Sequence, residues 1–233
     1  LIIIGSMKCG TSSLHRYLSV HPDIQMSFPK ELNFFMGKNW RRRELDWYLD
    51  FFQGQFQVRG EASPNYTKFP FIGGVPQRIH QVSPQARLIY MVRDPVDRAV
   101  SHYVHNISKG RETRPIEKAI TPDGHYISVS RYAYQLEQYL HYFSMDQIKV
   151  ISLKELSVDP GKVVSEVLGF LGVDVSLSHR IFSQVFHTTE EKKRPVIVAR
   201  RLAQFSPFGK PVGIRIRRRF SRLLERPIER PVV

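Results

Sequence analysis

Two stretches of the sequence combine residue types that suit the binding of phosphate or sulfate groups. The first runs from Gly5 to Ser12 with the sequence GSMKCGTS, directly after the apolar run Leu1–Ile4. Glycines allow backbone amides to point inward, and the N-terminus of a following helix adds positive potential. Lys8 supplies a charge inside the loop, but it precedes Gly10, so the stretch is not a Walker A sequence. We predict an anion-binding loop here, with an ordinary tight turn as the alternative.

The second stretch begins at Arg93, which follows the near-continuous apolar run Arg87–Val92, and includes Ser101 in the next predicted helix. In open α/β sheets, ligands bind beyond the carboxyl ends of the strands. Arg93 and Lys8 both follow predicted strands, so the two cations are expected at one edge of the sheet. This arrangement suits a ligand with two separated phosphate-type groups. The competing interpretation is that Arg93 only pairs with the acidic residues that begin its helix.

Several side chains could accept a proton at such a site. Residues 29–35, with the sequence PKELNFF, place Glu31 before two aromatic residues. If these rings form a partly dry wall, they would raise the pKa of the Glu31 carboxyl group, whereas the neighbouring lysine would lower it. Glu31 is our candidate general base, and a solvated surface glutamate is the alternative. Glu61, His102 and His105 are the competing candidates for the base.

Metal and thiol chemistry have weaker support in the sequence. His102 and His105 lie three residues apart on one predicted helix, but no third ligand accompanies them, so no metal site is predicted. Cys9 lies beside Lys8 at a predicted helix start, which is expected to lower the pKa of its thiol. No histidine partner for nucleophilic catalysis is evident, and Cys9 is interpreted as a small loop residue.

The elements that must position these residues alternate between strands and helices. Asp94 as N-cap, followed by Pro95, marks the start of one helix, whose apolar stripe is predicted at Ala99, Val100, Tyr103, Val104 and Ile107. Residues 110–129 are predicted to form a long loop. Strands are predicted at Leu1–Ile4, Asp23–Ser27, Gln57–Arg59, Arg87–Val92 and Lys149–Leu153, and the other helices at Thr11–Val20, Glu44–Phe52, Gly74–Val82, Tyr132–Phe143 and Pro160–Gly172. This alternation predicts a parallel sheet with helices on both faces.

The positive charge of the chain is concentrated near its end. The 233 residues carry a net charge of +14, of which residues 192–233 contribute +11 from 13 Lys and Arg and 2 Glu. Because the motifs lie in the nearly balanced remainder, nucleic acid is not favoured as a partner. The basic segment 195–233 is predicted to contact an anionic surface or to guide a polyanionic acceptor. A solvated helix packed by its apolar face is the alternative.

The composition excludes other classes of protein. A hydrophobic content of 42% and an aromatic content of 12% are typical of a folded domain. The single cysteine excludes an internal disulfide framework and a multi-thiolate zinc site. No transmembrane run or signal peptide is visible. We expect a cytoplasmic location, although the chain starts without Met, which leaves an upstream anchor open.

Together, these stretches resemble the PAPS-dependent sulfotransferase family, where PAPS is 3′-phosphoadenosine 5′-phosphosulfate. Residues 5–14 look like its 5′-phosphosulfate loop, and residues 93–103, RDPVDRAVSHY, look like its 3′-phosphate motif. Residues 30–35 are similar to the segment that bears the catalytic glutamate in the heparan-sulfate-type branch. The resemblance covers residues 1 to about 175 and is strongest to bacterial single-domain members.

The resemblance implies roles for individual residues. Glu31 and Lys8 would carry catalysis, whereas Ala62 stands where many heparan-type enzymes have a second lysine. In the family, the arginine and the serine of the 3′-phosphate motif bind that phosphate, and a basic loop near the end of the domain covers the cofactor. The cofactor-binding residues implied here are Lys8, Cys9, Gly10, Thr11, Ser12, Ser13, Arg93, Ser101, Lys192, Lys193 and Arg194.

The resemblance also implies a fold and a reaction. The fold would be a P-loop-like three-layer α/β sandwich, with a central parallel sheet flanked by helices, in a single domain of residues 1–233. The reaction would move a sulfuryl group from PAPS to a hydroxyl or amine of an acceptor, a glycan being favoured, with 3′,5′-ADP as product and no metal. A P-loop nucleoside or sugar kinase is the alternative, but it would need a lysine after the second glycine and an acidic magnesium ligand.

Overall fold

The computed structural model describes residues 1–176, and these form a three-layer α/β architecture. The five strands are β1 (Ile2–Gly5), β2 (Ile24–Met26), β3 (Val58–Ala62), β4 (Leu88–Val92) and β5 (Ile148–Ser152). The helices are α1 (Thr11–Leu18), α2 (Gly37–Trp40), α3 (Leu45–Leu49), α4 (Val75–Val82), α5 (Pro95–Ser108), α6 (Ile116–Ala119), α7 (His125–Ser130), α8 (Tyr132–Leu140), α9 (Leu153–Val158) and α10 (Pro160–Leu171). Short 3₁₀ turns occupy Pro64–Tyr66 and Met145–Gln147.

All strand pairs are parallel, and the order across the sheet is β2-β3-β1-β4-β5. The chain first runs from β1 to one edge of the sheet, returns through β3, and then crosses β1 to add β4 on its other side. The order therefore reverses beside β1, where Gly5 pairs with Tyr90. The crevice beyond the carboxyl ends of β1 and β4 is the place where such sheets bind ligands.

Side chains of alternating residues of β1 enter two different cores. Ile3 packs with α1 and α10 on one face of the sheet, whereas Ile2 and Ile4 belong to a core on the other face. This division follows from the two-residue period of a strand. The second core is rich in aromatic rings, with Phe34 and Phe35 each 1% exposed. The expected parallel sheet between two helical layers is confirmed.

The predicted strands and helices mostly lie within two residues of the observed ones, but three expectations were wrong. Residues 110–129 are not one long loop, because they contain α6 and the start of α7. The strand predicted at Gln57–Arg59 continues to Ala62, so Glu61 belongs to β3. The buried side of α5 is formed by Arg98, Ala99 and His102, while Val104 of the predicted apolar stripe is exposed. Arg98 reaches inward because α7 supplies hydrogen-bond acceptors for its guanidinium group.

Part of the chain lies outside this description. Within residues 1–176, no helix is long and apolar enough to cross a membrane. The predicted loop Lys192–Arg194 and the basic segment 195–233 fall beyond the described residues. Their predicted roles, and their membership of one domain with residues 1–176, stay predictions.

The side chain of Gln135 supplies a testable link between α8 and the segment after β3. Its Oε1 accepts from the amide of Phe69 at 2.8 Å, and its Nε2 donates to the carbonyls of Phe69 and Ser128 at 2.7 and 3.0 Å. Gln135→Leu keeps the volume but leaves these buried groups without partners. We expect urea denaturation to show a loss of about 1–3 kcal/mol in the free energy of unfolding. Gln138→Leu on the same helix should change it by less than about 0.5 kcal/mol, and equal effects would contradict this account.

Candidate active site

The loop between β1 and α1 is built around glycines that no other residue could replace without strain. Gly10 has φ 87° and forms the N-cap of α1. A Cβ atom there would lie 2.7 Å from a methyl group of Leu153 in α9, so the loop also packs too closely for a side chain. Lys8 adopts a left-handed φ of 72°, which is uncommon for a residue with a side chain. The residues that define the predicted anion loop therefore have an unusual and specific backbone.

In the described part of the chain, three backbone amides at the start of α1 have no acceptor. Within residues 1–176, the amides of Gly10, Thr11 and Ser12 donate no hydrogen bond, whereas those of Ser13 and Leu14 donate to the carbonyl of Gly10 at 2.9 and 3.1 Å. The first amides of any helix need partners from outside it. Here they lie next to Lys8, so an anion would satisfy the donors and meet a positive charge.

Cys9 differs from the sequence-based expectation. Its side chain is fully buried in the hydrophobic core, and its sulfur lies 3.7 Å from the hydroxyl of Tyr132. Burial raises the pKa of the Cys9 thiol, so the predicted lowering of that pKa was wrong. The amide of Cys9 already donates to the carbonyl of Ser6 at 3.2 Å. Cys9 thus anchors the loop to the hydrophobic core.

Arg93 lies beside the loop, as its position after β4 predicted. Its Nη1 donates to the carbonyl of Lys8 at 3.5 Å, and its Nη2 lies 3.4 Å from Oδ2 of Asp97. The predicted N-cap of α5 is confirmed, because Oδ1 of Asp94 accepts from the amide of Asp97 at 2.9 Å. Asp97 and Ser101 are four residues apart, so Ser101 shares the helix face to which Arg93 is tied. The structure thereby brings the two predicted anion-binding elements, the loop after β1 and the start of α5, into contact.

Glu31 lies in a loop whose shape depends on two left-handed residues, Glu31 itself at φ 67° and Asn33 at φ 53°. The Glu31 amide donates to the carbonyl of Ala62 at 3.2 Å, which ties the loop to the end of β3. Its Oε1 accepts from Lys30 at 2.9 Å, and its side chain is 43% exposed. The expected dry wall was wrong, because Phe34 and Phe35 turn into the core and leave the carboxylate open to solvent.

Glu61, a competing candidate for the base, is completely buried. Its carboxylate accepts hydrogen bonds from the hydroxyls of Tyr48 at 3.2 Å, Ser63 at 2.7 Å and Tyr66 at 2.8 Å. Burial raises the pKa of Glu61, and these hydrogen bonds act against that rise. This carboxylate is fully buried and already accepts three internal hydrogen bonds, so it cannot contact a substrate that must lose a proton. Its role is structural.

The two competing histidines have different surroundings. His102 is buried and its Nδ1 lies 3.2 Å from Nη1 of Arg98, so this nitrogen accepts from the guanidinium group. Burial lowers the pKa of His102 to about 2, which keeps it neutral. His105 is partly exposed, and its pKa is lowered chiefly by burial and then by Lys8, with Glu31 opposing. His105 thus interacts electrostatically with both Lys8 and Glu31.

Two residues of the site were not found by sequence reasoning. Lys68, just after the 3₁₀ turn, and Arg98, inside α5, act electrostatically on each other. No motif or residue spacing in the sequence indicated Lys68. Arg98 and His102 are four residues apart, and this helical spacing could have suggested their contact. Within residues 1–176, no group of three His, Cys, Asp or Glu side chains could hold a metal ion.

Comparisons with known proteins agree with this geometry. The chain is 31% identical over 197 residues to a bifunctional heparan sulfate N-deacetylase/N-sulfotransferase 4 from Mus musculus, covering 74% of this chain and 22% of that protein. It is 32% identical over 211 residues to the bifunctional heparan sulfate N-deacetylase/N-sulfotransferase 3 from Homo sapiens, covering 78% of this chain and 23% of that protein. The chain thus spans less than a quarter of the length of these curated relatives.

Solved structures show the same fold. A crystal structure of a sulfotransferase from Alicyclobacillus acidocaldarius matches with a TM-score of 0.66 and 31% identity over 88% of this chain and 89% of that chain. A mouse sulfotransferase, SULT7A1, complexed with PAP matches with a TM-score of 0.55 and 21% identity, over 78% of this chain and 62% of that chain. The sulfotransferase domain family model matches residues 1–201. The chain therefore belongs to the sulfotransferase domain family and is a transferase.

Proposed function

We propose that this sulfotransferase uses PAPS as its donor and transfers the sulfuryl group to a hydroxyl or amine of a saccharide, releasing 3′,5′-ADP. The observation that carries the proposal is the contact between the two anion-binding elements. Arg93 reaches the carbonyl of Lys8 at 3.5 Å, and beside it α1 begins with three amides that have no acceptor within residues 1–176. A ligand with two anionic groups joined by a nucleoside would engage both elements.

The residues present fit such a donor. The amides of Gly10, Thr11 and Ser12, together with Lys8, suit the phosphosulfate end, which carries several anionic oxygens. Arg93 and Ser101 suit the separate 3′-phosphate. The hydroxyl of Ser6 in the same loop is buried and finds no acceptor or donor at normal hydrogen-bond geometry within residues 1–176, so it is one more polar group in the loop. Lys192, Lys193 and Arg194 remain proposed contacts outside the described residues.

The chain's own residues would then supply binding, orientation and proton transfer. When bound, PAPS provides an activated sulfuryl group on a phosphate leaving group. Lys8 and the amides at the start of α1 are preorganised to stabilise negative charge there. The exposed carboxylate of Glu31 accepts the proton that the acceptor hydroxyl or amine loses. His105 stays neutral near pH 7 because its pKa is lowered, so it is the second candidate for this proton.

The proposed acceptor class rests on the relatives and on the surroundings of Glu31. The relatives at 31% and 32% identity are named for heparan sulfate, a saccharide. Three residues before Glu31, Phe28 is 89% exposed. An exposed ring can pack against the apolar face of a sugar, while the nearby Lys30 can meet an acidic substituent. The kinase alternative is not favoured, because the family and both solved structures are sulfotransferases.

Arg93→Ala should distinguish the contribution of the 3′-phosphate site from that of the anion loop. We expect it to weaken PAPS and 3′,5′-ADP by about 10- to 100-fold, because a charge-assisted contact to phosphate is worth about 1.5–3 kcal/mol. Adenosine 5′-phosphosulfate, which lacks the 3′-phosphate, should lose less than about threefold. Calorimetric titration measures all three ligands, and Arg131→Ala at an exposed position serves as the matched control. Equal losses for all three ligands would contradict the assignment of Arg93 to the 3′-phosphate.

Glu31→Gln keeps the size of the side chain and removes its basicity. We expect donor binding to survive while turnover falls by about 10²–10⁴-fold, the usual contribution of a positioned base. Turnover is measured with radiolabelled PAPS against a saccharide panel, and Glu137→Gln on the exposed side of α8 is the control. If Glu31→Gln keeps near-normal turnover and His105→Asn abolishes it at intact donor affinity, His105 is the base and this assignment is wrong.

A further inference from the structure

Lys68 is held in place by fixed residues on either side. Before it, the side chain of Thr67 occupies the space where a Cβ atom of Gly5 would lie, so this segment touches the first residue of the anion loop. After it, both main-chain polar groups of Phe69 bond to the buried amide of Gln135 at 2.8 and 2.7 Å. Lys68 therefore extends from a segment that is fixed to the loop on one side and to α8 on the other.

The ammonium group of Lys68 lies among other cations. Within residues 1–176, it forms no ion pair and no hydrogen bond. Burial lowers its pKa to about 8, and Glu31 opposes this shift while Arg98 and Arg111 add to it. The charged and titratable groups that interact with Lys68 come from the Glu31 loop, from α5, from the segment after α5 and from α7: Glu31, Arg98, His102, Arg111 and His125.

Arg98 adds a second buried positive charge near Lys68. It is fully buried, and among the described residues its guanidinium group bonds only to neutral acceptors: Ser130 Oγ at 2.5 Å, the carbonyl of Tyr126, and His102 Nδ1 at 3.2 Å. A buried cation normally has a counter-charge, because desolvation without one is costly. In the described part of the chain, the one carboxylate that acts on Lys68 is Glu31, and that carboxylate already pairs with Lys30.

We propose that Lys68 is a further catalytic residue, whose ammonium group binds the oxygens of the transferred sulfuryl group. This inference rests on the proposed use of PAPS. The sulfuryl group must lie between the anion loop, which holds the donor, and Glu31, which receives the proton. Lys68 follows the residue that touches Gly5 and interacts electrostatically with Glu31, so it borders that space. It forms and breaks no covalent bond; it stays protonated and donates hydrogen bonds that the departing donor product, 3′,5′-ADP, does not receive.

The comparison of two ligands tests this assignment directly. PAPS carries the sulfuryl group, and 3′,5′-ADP does not. We expect Lys68→Met to weaken PAPS by about tenfold or more, the loss expected for one charge-assisted contact, while the affinity for 3′,5′-ADP stays within about twofold. Lys68→Arg should restore most of the loss. Lys118→Met, at an exposed lysine of α6, is the control, and calorimetry at pH 7 gives the affinities.

A second measurement uses the wild-type chain and needs no variant. The pH dependence of amine acetylation, resolved by mass spectrometry of peptides, reports the pKa of Lys68. PAPS should raise that pKa by about one unit, in line with the same tenfold preference, and 3′,5′-ADP should leave it unchanged. Equal shifts with both ligands, or equal loss of both affinities in Lys68→Met, would overturn the proposal.

The outcomes also separate this inference from the proposed function. If the wild-type chain binds neither PAPS nor 3′,5′-ADP, the proposed donor is wrong. If it binds both and Lys68→Met behaves like Lys118→Met, only the role of Lys68 is wrong. A rise in KM for the acceptor, with unchanged PAPS affinity, would place Lys68 on the acceptor instead and would equally overturn the proposal. Should Lys68→Met fail to fold, the acetylation measurement decides alone.

Discussion

The buried carboxylate of Glu61 is the interaction on which the geometry of the site depends. It accepts from Ser63 and Tyr66, and the oxygens of these two residues in turn accept from the amides of Asn33 at 3.0 Å and Phe35 at 3.2 Å. The end of β3, the 3₁₀ turn and the loop of Glu31 thus share one hydrogen-bond network. Since a buried charge is tolerated only when it is fully bonded, this network defines one arrangement of these segments.

The second constraint is the pairing of β1 with β4, which brings the two predicted anion-binding motifs together. These motifs are separated by more than eighty residues in sequence, yet Gly5 lies opposite Tyr90 and Arg93 reaches the carbonyl of Lys8. The two strands have their carboxyl ends at the same edge because the sheet is parallel. The buried negative and positive groups of the protein also have different partners. The buried carboxylate of Glu61 is satisfied by hydroxyl donors inside the protein, whereas Lys68 and Arg98 form no ion pair within residues 1–176.

The sequence was sufficient for features that depend on local pattern. Runs of apolar residues located β1 and β4, the Asp94–Pro95 pair located the start of α5, and the glycine spacing located the anion loop. Features that depend on distant partners could not be found this way. The inward turn of Arg98 requires acceptors on α7, more than twenty-five residues away, and one of them, the carbonyl of Tyr126, lies in the segment 110–129 that was predicted as a loop. Cys9 points into the core for a similar reason, because Tyr132 and the apolar residues around it come from later in the chain.

The positive charge at the site links ligand binding to folding. The pKa of Lys68 falls from 10.5 to about 8 on folding, so below pH 8 the charged ammonium disfavours the folded state. This penalty disappears as the pH rises from 8 to 10.5, because the unfolded chain then binds more protons than the folded one. An anion bound at Lys68, as proposed above, would act in the opposite direction, since it would favour the charged ammonium group and would bind only the folded chain. On this proposal, the desolvated ammonium group of Lys68 that weakens the free protein is also the group through which an anionic ligand would stabilise it.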